Sequence, residues 1–397
     1  MWKWIVGALV AIVIVAVGFW FSIDKSIRYL ILNQPTTENV LFWTTEQRDA
    51  GFRSLEALEV LPYSMVSKNS ASASQTSIEA GDLLNIPEES IDAYFREQRI
   101  AGLVVLHKGK RVFEKYGLDF DKDGKWTSFS VAKSFTSTLV GAAIKDGYIK
   151  SLQDSVSDYI PDMQGSAYDD VTIEQLLTMT SGVKWDENYS DPNSDVNKFN
   201  FSKGDAGVDS TVSYMRKLER AVKPGEKWLY STGETNLIGV LVSQSTGKTL
   251  SAYLSEKIWQ HIGAEQDASW ILGPSGHEIS GCCIQATTRD FASFGQFILD
   301  GAVVNGESIV PQGWFEKATV TQVSFSSDSN SNGYAYQWWT SADSSFQGKG
   351  IFGQGIFIDP KRELVIAVNS NWPAASSQKE GASRSKMYAE FQKLVGI

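Results

Sequence analysis

Histidine, cysteine and clustered positive charge are what this sequence has least of. Its 397 residues include three histidines and two cysteines. His107, His261 and His277 lie far apart, with no His-Glu-x-x-His and no paired cysteine motif, so no metal site is expected. The cysteines are neighbours, Cys282-Cys283, and no third cysteine exists to pair with either. Adjacent cysteines rarely bridge, so they read as small buried residues in a Gly-Cys-Cys turn, without a redox role. The formal charge is −10 and no basic stripe is visible. That excludes an electrostatic nucleic-acid surface. No glycine-rich loop matches a phosphate-binding pattern, and no cofactor is expected.

What is present is a globular composition, 42% hydrophobic and 12% aromatic, in a chain long enough for one large or two ordinary domains. It opens with an uncharged apolar run, Trp4 to Ile23, between Lys3 and Asp24. About 20 residues at ~1.5 Å each cross a bilayer core. Ala16-Val17-Gly18 could serve a signal peptidase, but Phe19-Trp20-Phe21 behind it suits a membrane-interface belt better. Residues 1–23 therefore read as a single-span anchor, with a signal sequence as the alternative. Lys3 on one side and Lys25 and Arg28 on the other leave the orientation open. Residues 24–85 read as a stalk and wrapping extension that includes the serine-rich Ser64–Ser77, and residues 86–397 as the main domain.

Within that domain a helix is expected from Ile86 to Arg99, then a hairpin of Gly102–His107 and Arg111–Tyr116. Helices follow to about His261, including Val171–Met179 and Asn236–Gln244. Late strands are expected at Tyr334–Thr340, Gly350–Ile358 and Leu364–Asn369, before a closing helix at Met387–Val395. Strands at both ends with helices between imply one sheet built from distant segments and an inserted helical subdomain. Ser324–Asn332 reads as a surface loop.

Six Ser-x-x-Lys tetrads occur, starting at Ser22, Ser130, Ser181, Ser245, Ser376 and Ser383. Only Ser130 opens a long apolar-periodic segment, in which Val131, Phe135, Leu139 and Ala143 recur every four residues until Lys145-Asp146-Gly147 stops it. Residues i and i+3 share a helical face. A serine at the helix start and a desolvated lysine one turn on can form a nucleophile and its base without histidine. No Gly-x-Ser-x-Gly elbow competes with it. Such a site needs a second proton carrier and two N–H donors for an oxyanion. Tyr230-Ser231-Thr232, on a loop that ends at a helix start, offers the first. Gly348-Lys349-Gly350-Ile351 offers a strand edge that a substrate can approach, with the N–H groups of Ser130 and Ile351 as donors.

Ser130-Val131-Ala132-Lys133, Tyr230-Ser231-Thr232 and the late glycine strand, in that order, resemble the serine β-lactamase and penicillin-binding-protein superfamily. Leu176 to Val183 (LLTMTSGV), Pro224-Gly225, Thr288 to Gly295 and Gly353-Gln354 extend the resemblance over about 300 residues. Phe346 to Gln354 and Trp185 to Tyr189, with Asp191-Pro192, are similar to the class C-like branch that holds 6-aminohexanoate-dimer hydrolases and esterases. The resemblance implies an α+β β-lactamase/transpeptidase-like fold, an antiparallel sheet flanked by helices plus an all-helical insertion. It implies Tyr189 as a loop tyrosine closing over the substrate, beside Gly348 and Gly350, and a domain facing outward from a bacterial inner membrane.

Two departures steer the substrate. The family's Tyr-x-Asn is Tyr-Ser-Thr, and its Lys-Thr-Gly is Gly-Lys-Gly, with Lys349 on the face opposite its glycine neighbours. Both remove groups that hold an antibiotic. The sequence therefore predicts a serine hydrolase of small esters or linear amides. A β-lactamase or D-Ala-D-Ala carboxypeptidase, and a non-catalytic cell-envelope binding protein, stand as alternatives.

Overall fold

A computed structural model describes residues 2–58, 61–68, 78–325 and 332–396. Its centre is an eight-stranded antiparallel sheet drawn from both ends of the main domain. The order across it is Lys110–Tyr116, Ile100–His107, Leu364–Ser370, Gln354–Asp359, Phe346–Gly350, Trp339–Thr340, Gly333–Tyr334 and Val323–Ser324. The hairpin at 100–116 thus joins the late strands through Leu364–Ser370, in register from Leu364 opposite His107 to Asn369 opposite Gly102.

The strand Ile100–His107 is an almost unbroken apolar run because both of its faces are covered. Leu103 and Val105 meet Ile91, Tyr94, Met387 and Phe391 of the helices Glu88–Gln98 and Gln378–Val395. Val104 and Leu106 turn the other way, into the core that Phe291 and Phe294 of the helix Thr288–Leu299 share. That alternation is the two-residue period of a strand. The chain between 117 and 322 supplies the helical insertion, whose two long helices are Ala132–Lys145 and Thr232–Thr246.

Two expected strands are broken. Tyr334–Thr340 is two short strands around a turn, with Gln337 at φ 62°. Gln337 turns in to the helices, where its N–H donates to the Leu177 carbonyl at 3.1 Å and its carbonyl accepts from Ser134 Oγ at 3.0 Å. Gly350–Ile358 is interrupted at Ile351–Gly353, where Phe352 and Gly353 take φ 57° and 92°.

The N-terminal apolar run is a helix, Trp2–Ser22, with no buried residue. It is long and apolar enough to cross a membrane, as a signal sequence also is. The segment behind it wraps the domain. Helices Lys25–Leu32 and Thr45–Ser54 pack together. Arg48 is buried and donates to Asn371 Oδ1 at 2.9 Å and to the Trp372 and Pro373 carbonyls. Phe52, fully buried, sits among Trp126, Phe129 and Phe352 at 5.1–5.7 Å. Tyr63–Val66, which overlaps the start of the expected serine-rich segment, is a strand paired with Ala268–Ile271 in a second, four-stranded sheet. The rest of that linker from 69 to 77, and 326–331 of the expected surface loop, lie outside the described residues.

The cysteine reading is corrected. Cys282 and Cys283 are joined by a disulfide and are half-buried. Cys283 lies in the left-handed region at φ 73°, so the two side chains share a side of the chain instead of alternating.

Candidate active site

Ser130 is the middle residue of a single 3-10 turn, Phe129–Val131, that leads directly into the helix Ala132–Lys145. It is reached from the strand Trp126–Thr127 through Phe129, whose φ is 42°. A bulky residue there costs about 1–3 kcal/mol. The Phe129 ring, packed at 5.1 Å from Phe52 and 5.5 Å from Phe352, holds the turn in place. The lysine one turn on is brought to the serine as the spacing requires: Lys133 Nζ donates to Ser130 Oγ at 3.1 Å.

Lys133 is 1% exposed and has no ion-pair partner among the described residues. Its other two hydrogen bonds go to Thr232 Oγ1 at 3.0 Å and the Gly281 carbonyl at 2.9 Å. Burial pushes its ammonium down to about 8, against an opposing attraction from the Glu187 carboxylate. Asn236 Oδ1 accepts from the Gly281 N–H at 2.8 Å and so aims that carbonyl. A Cβ at position 281 would come within 2.9 Å of Thr232 and 3.2 Å of Lys133 Nζ, which leaves room there only for glycine.

Tyr230 precedes the helix Thr232–Thr246, whose Ser231 N-cap accepts from the Glu234 N–H. Its hydroxyl faces the Ser130 side chain, whose influence on it opposes that of burial. Burial first and Glu187 second raise its pKa well above the usual phenol range. Tyr230 is therefore a neutral phenol, able to give a proton. The ring stacks on Trp339 at 5.6 Å and lies 5.2 Å from Lys133 Nζ.

Thr232 and Glu187 are partners that sequence reasoning passed over. Thr232, read as the absence of an asparagine, accepts from Lys133 and donates from Oγ1 to Glu187 Oε1. Glu187 Oε2 takes the Thr232 N–H at 2.9 Å and the Trp185 indole N–H. Its Oε1 also accepts the Tyr189 hydroxyl at 2.7 Å. The signal was local: Glu187 lies two residues before Tyr189 in the block already singled out. Asn197 Nδ2 donates to the carbonyls of Asn188, Tyr189 and Asp191, fixing that loop over the serine.

The strand Phe346–Gly350 is not an edge strand, but its register with Trp339–Thr340 covers only Phe346 and Gln347. Gly348 to Gly350 run on without a partner on that side. A Cβ on Gly350 would stand 2.6 Å from the Ser128 carbonyl, so glycine lets this strand close on the turn that carries Ser130. Lys349 leaves by the other face, with Nζ 4.7 Å above the Trp339 ring. Burial, aided by nearby Arg384, lowers it to about 8. Ser130, Tyr189, Thr232 and Ile351 line one cavity of about 340 Å³, together with the disulfide. Tyr230, Gly348 and Gly350 lie outside its wall.

The β-lactamase family model matches residues 88–386. The 6-aminohexanoate-dimer hydrolase of Paenarthrobacter ureafaciens is 29% identical over 329 residues, 79% of this chain and 83% of that protein. A Bacillus anthracis structure provisionally described as a 6-aminohexanoate-dimer hydrolase superposes with a TM-score of 0.76 at 23% identity, over 90% of this chain and 98% of that one. A family VIII carboxylesterase covers 79% of this chain and 99% of its own at a TM-score of 0.59 and 17% identity. With this fold and these relatives, the chain belongs to the β-lactamase family and is a serine hydrolase of the amide- and ester-cleaving kind.

Proposed function

We propose that Ser130, Lys133 and Tyr230 hydrolyse a small ester or linear amide through an acyl-enzyme, with the N–H groups of Ser130 and Ile351 as the oxyanion hole. The observation that carries this is a buried lysine amine 3.1 Å from the serine hydroxyl and in no direct ion pair among the described residues. With its ionisation lowered to about 8, a substantial share is neutral near physiological pH and can accept a proton.

Ser130 Oγ bonds to the carbonyl carbon as its proton passes to Lys133 Nζ. The negative charge that develops on the carbonyl oxygen meets the two N–H donors. As the bond to the leaving oxygen or nitrogen breaks, Tyr230 gives that atom its phenolic proton and recovers one from Lys133. Water then attacks the ester formed on Ser130, its proton passing to Lys133 and from there to Ser130 Oγ as the Oγ–acyl bond breaks, and the acid leaves. Tyr189, held by Glu187, borders the bound acyl group, while Gly348 and Gly350 let the strand that leads to Ile351 lie close against Ser134 and Ser128, bringing the two oxyanion donors together. The helix Trp2–Ser22 would hold the domain on the outer face of a bacterial inner membrane.

Labelling with a fluorophosphonate probe tests the mechanism. Wild type should label, Ser130→Ala should not, and Lys133→Ala should label far more slowly. Equal labelling of wild type and Ser130→Ala would sink it.

A further inference from the structure

The cavity beside Ser130 is walled on one side by the segment that precedes the family-matched region. Val40, Leu41, Leu55 and Leu61 line it opposite Ile271, Ile279 and the Cys282–Cys283 pair. Val40 and Leu41 pack on the same cluster as Ile351, Phe129 and Phe352. The wall is fixed in place. Asn39 Oδ1 accepts from the Leu41 N–H at 3.0 Å, and its Nδ2 donates to Asn197 Oδ1 at 2.7 Å, in the helix Asp195–Phe199 whose Asn197 holds the Tyr189 loop. Among the described residues in the lining, Glu38 is the one formal charge, and it is exposed at the rim.

The cavity also has a direction. Tyr230, which protonates the leaving group, stands outside it with Trp228 and Trp339. The space therefore lies on the acyl side of the reacting carbonyl. A volume of about 340 Å³ holds roughly ten groups of the ~30 Å³ that a water molecule occupies in the liquid.

We propose that Val40, Leu41, Leu55 and Leu61 form the acyl-chain wall of this enzyme, and that its substrates are esters or amides of uncharged, apolar acyl groups of roughly six to ten carbons. This rests on the serine-hydrolase mechanism above. The unbranched apolar end of the chain would fill the space between Leu41, Leu61 and Ile271. A terminal ammonium there would be desolvated without a partner.

The test compares kcat/KM for p-nitrophenyl acetate, hexanoate, octanoate, decanoate and 6-aminohexanoate, using the full chain in detergent. Full burial of a methylene is worth about fourfold, so the octanoate ester should be favoured over acetate by tenfold or more. Hexanoate should exceed 6-aminohexanoate by at least tenfold. Leu41→Trp should cut the octanoate-to-acetate ratio tenfold, and Leu41→Ala should move the optimum to decanoate. The opposed directions separate a change of wall from general damage. Preference for acetate or 6-aminohexanoate, or a ratio that neither variant moves while Ser130 still labels, would overturn the proposal. Loss of Ser130-dependent labelling in wild type would remove the mechanism, and the proposal with it.

Discussion

Replacing Glu187 by glutamine tests the electrostatics of the site without emptying it. Glutamine keeps the length and its carbonyl can still accept the Thr232 and Tyr189 hydroxyls, while its amide nitrogen gives up the two N–H bonds that Oε2 accepts from Thr232 and Trp185, so the charge and those two bonds are lost together. Lys133 Nζ reaches that charge through Thr232 Oγ1, the first hydrogen bond being 3.0 Å. Two hydrogen bonds in series place the charges at most ~6 Å apart, worth about 3 kcal/mol at an effective permittivity of ~20. Glu187 is half-buried, and solvent screening halves this to about 1.4 kcal/mol, or one pK unit. The carboxylate favours the ammonium form, so its loss lowers the ionisation of Lys133 from about 8 to ~7. The rising limb of kcat/KM against pH should move down by about one unit. At pH 6.5 the neutral fraction, and with it the rate relative to the high-pH plateau, should rise roughly eightfold. Profiles for a short chromogenic ester from pH 5.5 to 10 measure this. A limb that stays in place, or moves to higher pH, would refute the reasoning that Lys133 acts as a neutral base under the influence of Glu187.

Tyr230→Phe keeps the ring stacked on Trp339 and should lower kcat by about 10²–10⁴, more for an anilide than for an activated ester, whose leaving group needs no proton. Gly350→Ala places a methyl 2.6 Å from the Ser128 carbonyl and should cut kcat/KM at least about tenfold, read in steady-state assays, by prying the strand from the Ser130 turn. Glu234, buried beneath the site with Ser181 and Tyr168 as hydrogen-bond partners, is raised to about 8 by burial. Its folded ionisation lies above the unfolded one, so its stabilising contribution is complete below pH ~4.3 and is lost as pH rises through about 8. Glu234→Gln should therefore gain thermal stability relative to wild type between pH 6 and 9, which melting curves at both values would measure.

The legible parts of this protein are those in which neighbours along the chain are neighbours in space. Ser130 and Lys133 were readable because three residues on a helix fix their separation, and the apolar spacing behind them marks that helix. The hairpin at 100–116 was readable for the same reason. The four other tetrads within the main domain carry no such run, and the Ser181 hydroxyl is occupied in holding Glu234. What surrounds Lys133 was not readable. Thr232 and Gly281 stand 99 and 148 residues away, and no periodicity links them to it. The extension before residue 86 was the least legible. Its polar, irregular sequence resembles a linker, and its role appears only through partners such as Asn371, 323 residues on from Arg48.

Phe52 gives that extension a practical meaning. The two backbone donors assigned to the oxyanion hole are each next to a phenylalanine with positive φ, Phe129 before Ser130 and Phe352 after Ile351. The ring of Phe52 touches both. A protein trimmed to the family-matched boundaries, 88–386, would retain every residue of the proposed chemistry and lose the keystone between its two halves. Expression designs, and any transplant of this catalytic unit into another scaffold, should therefore begin upstream of Val40. Here the recognisable sequence is smaller than the working enzyme.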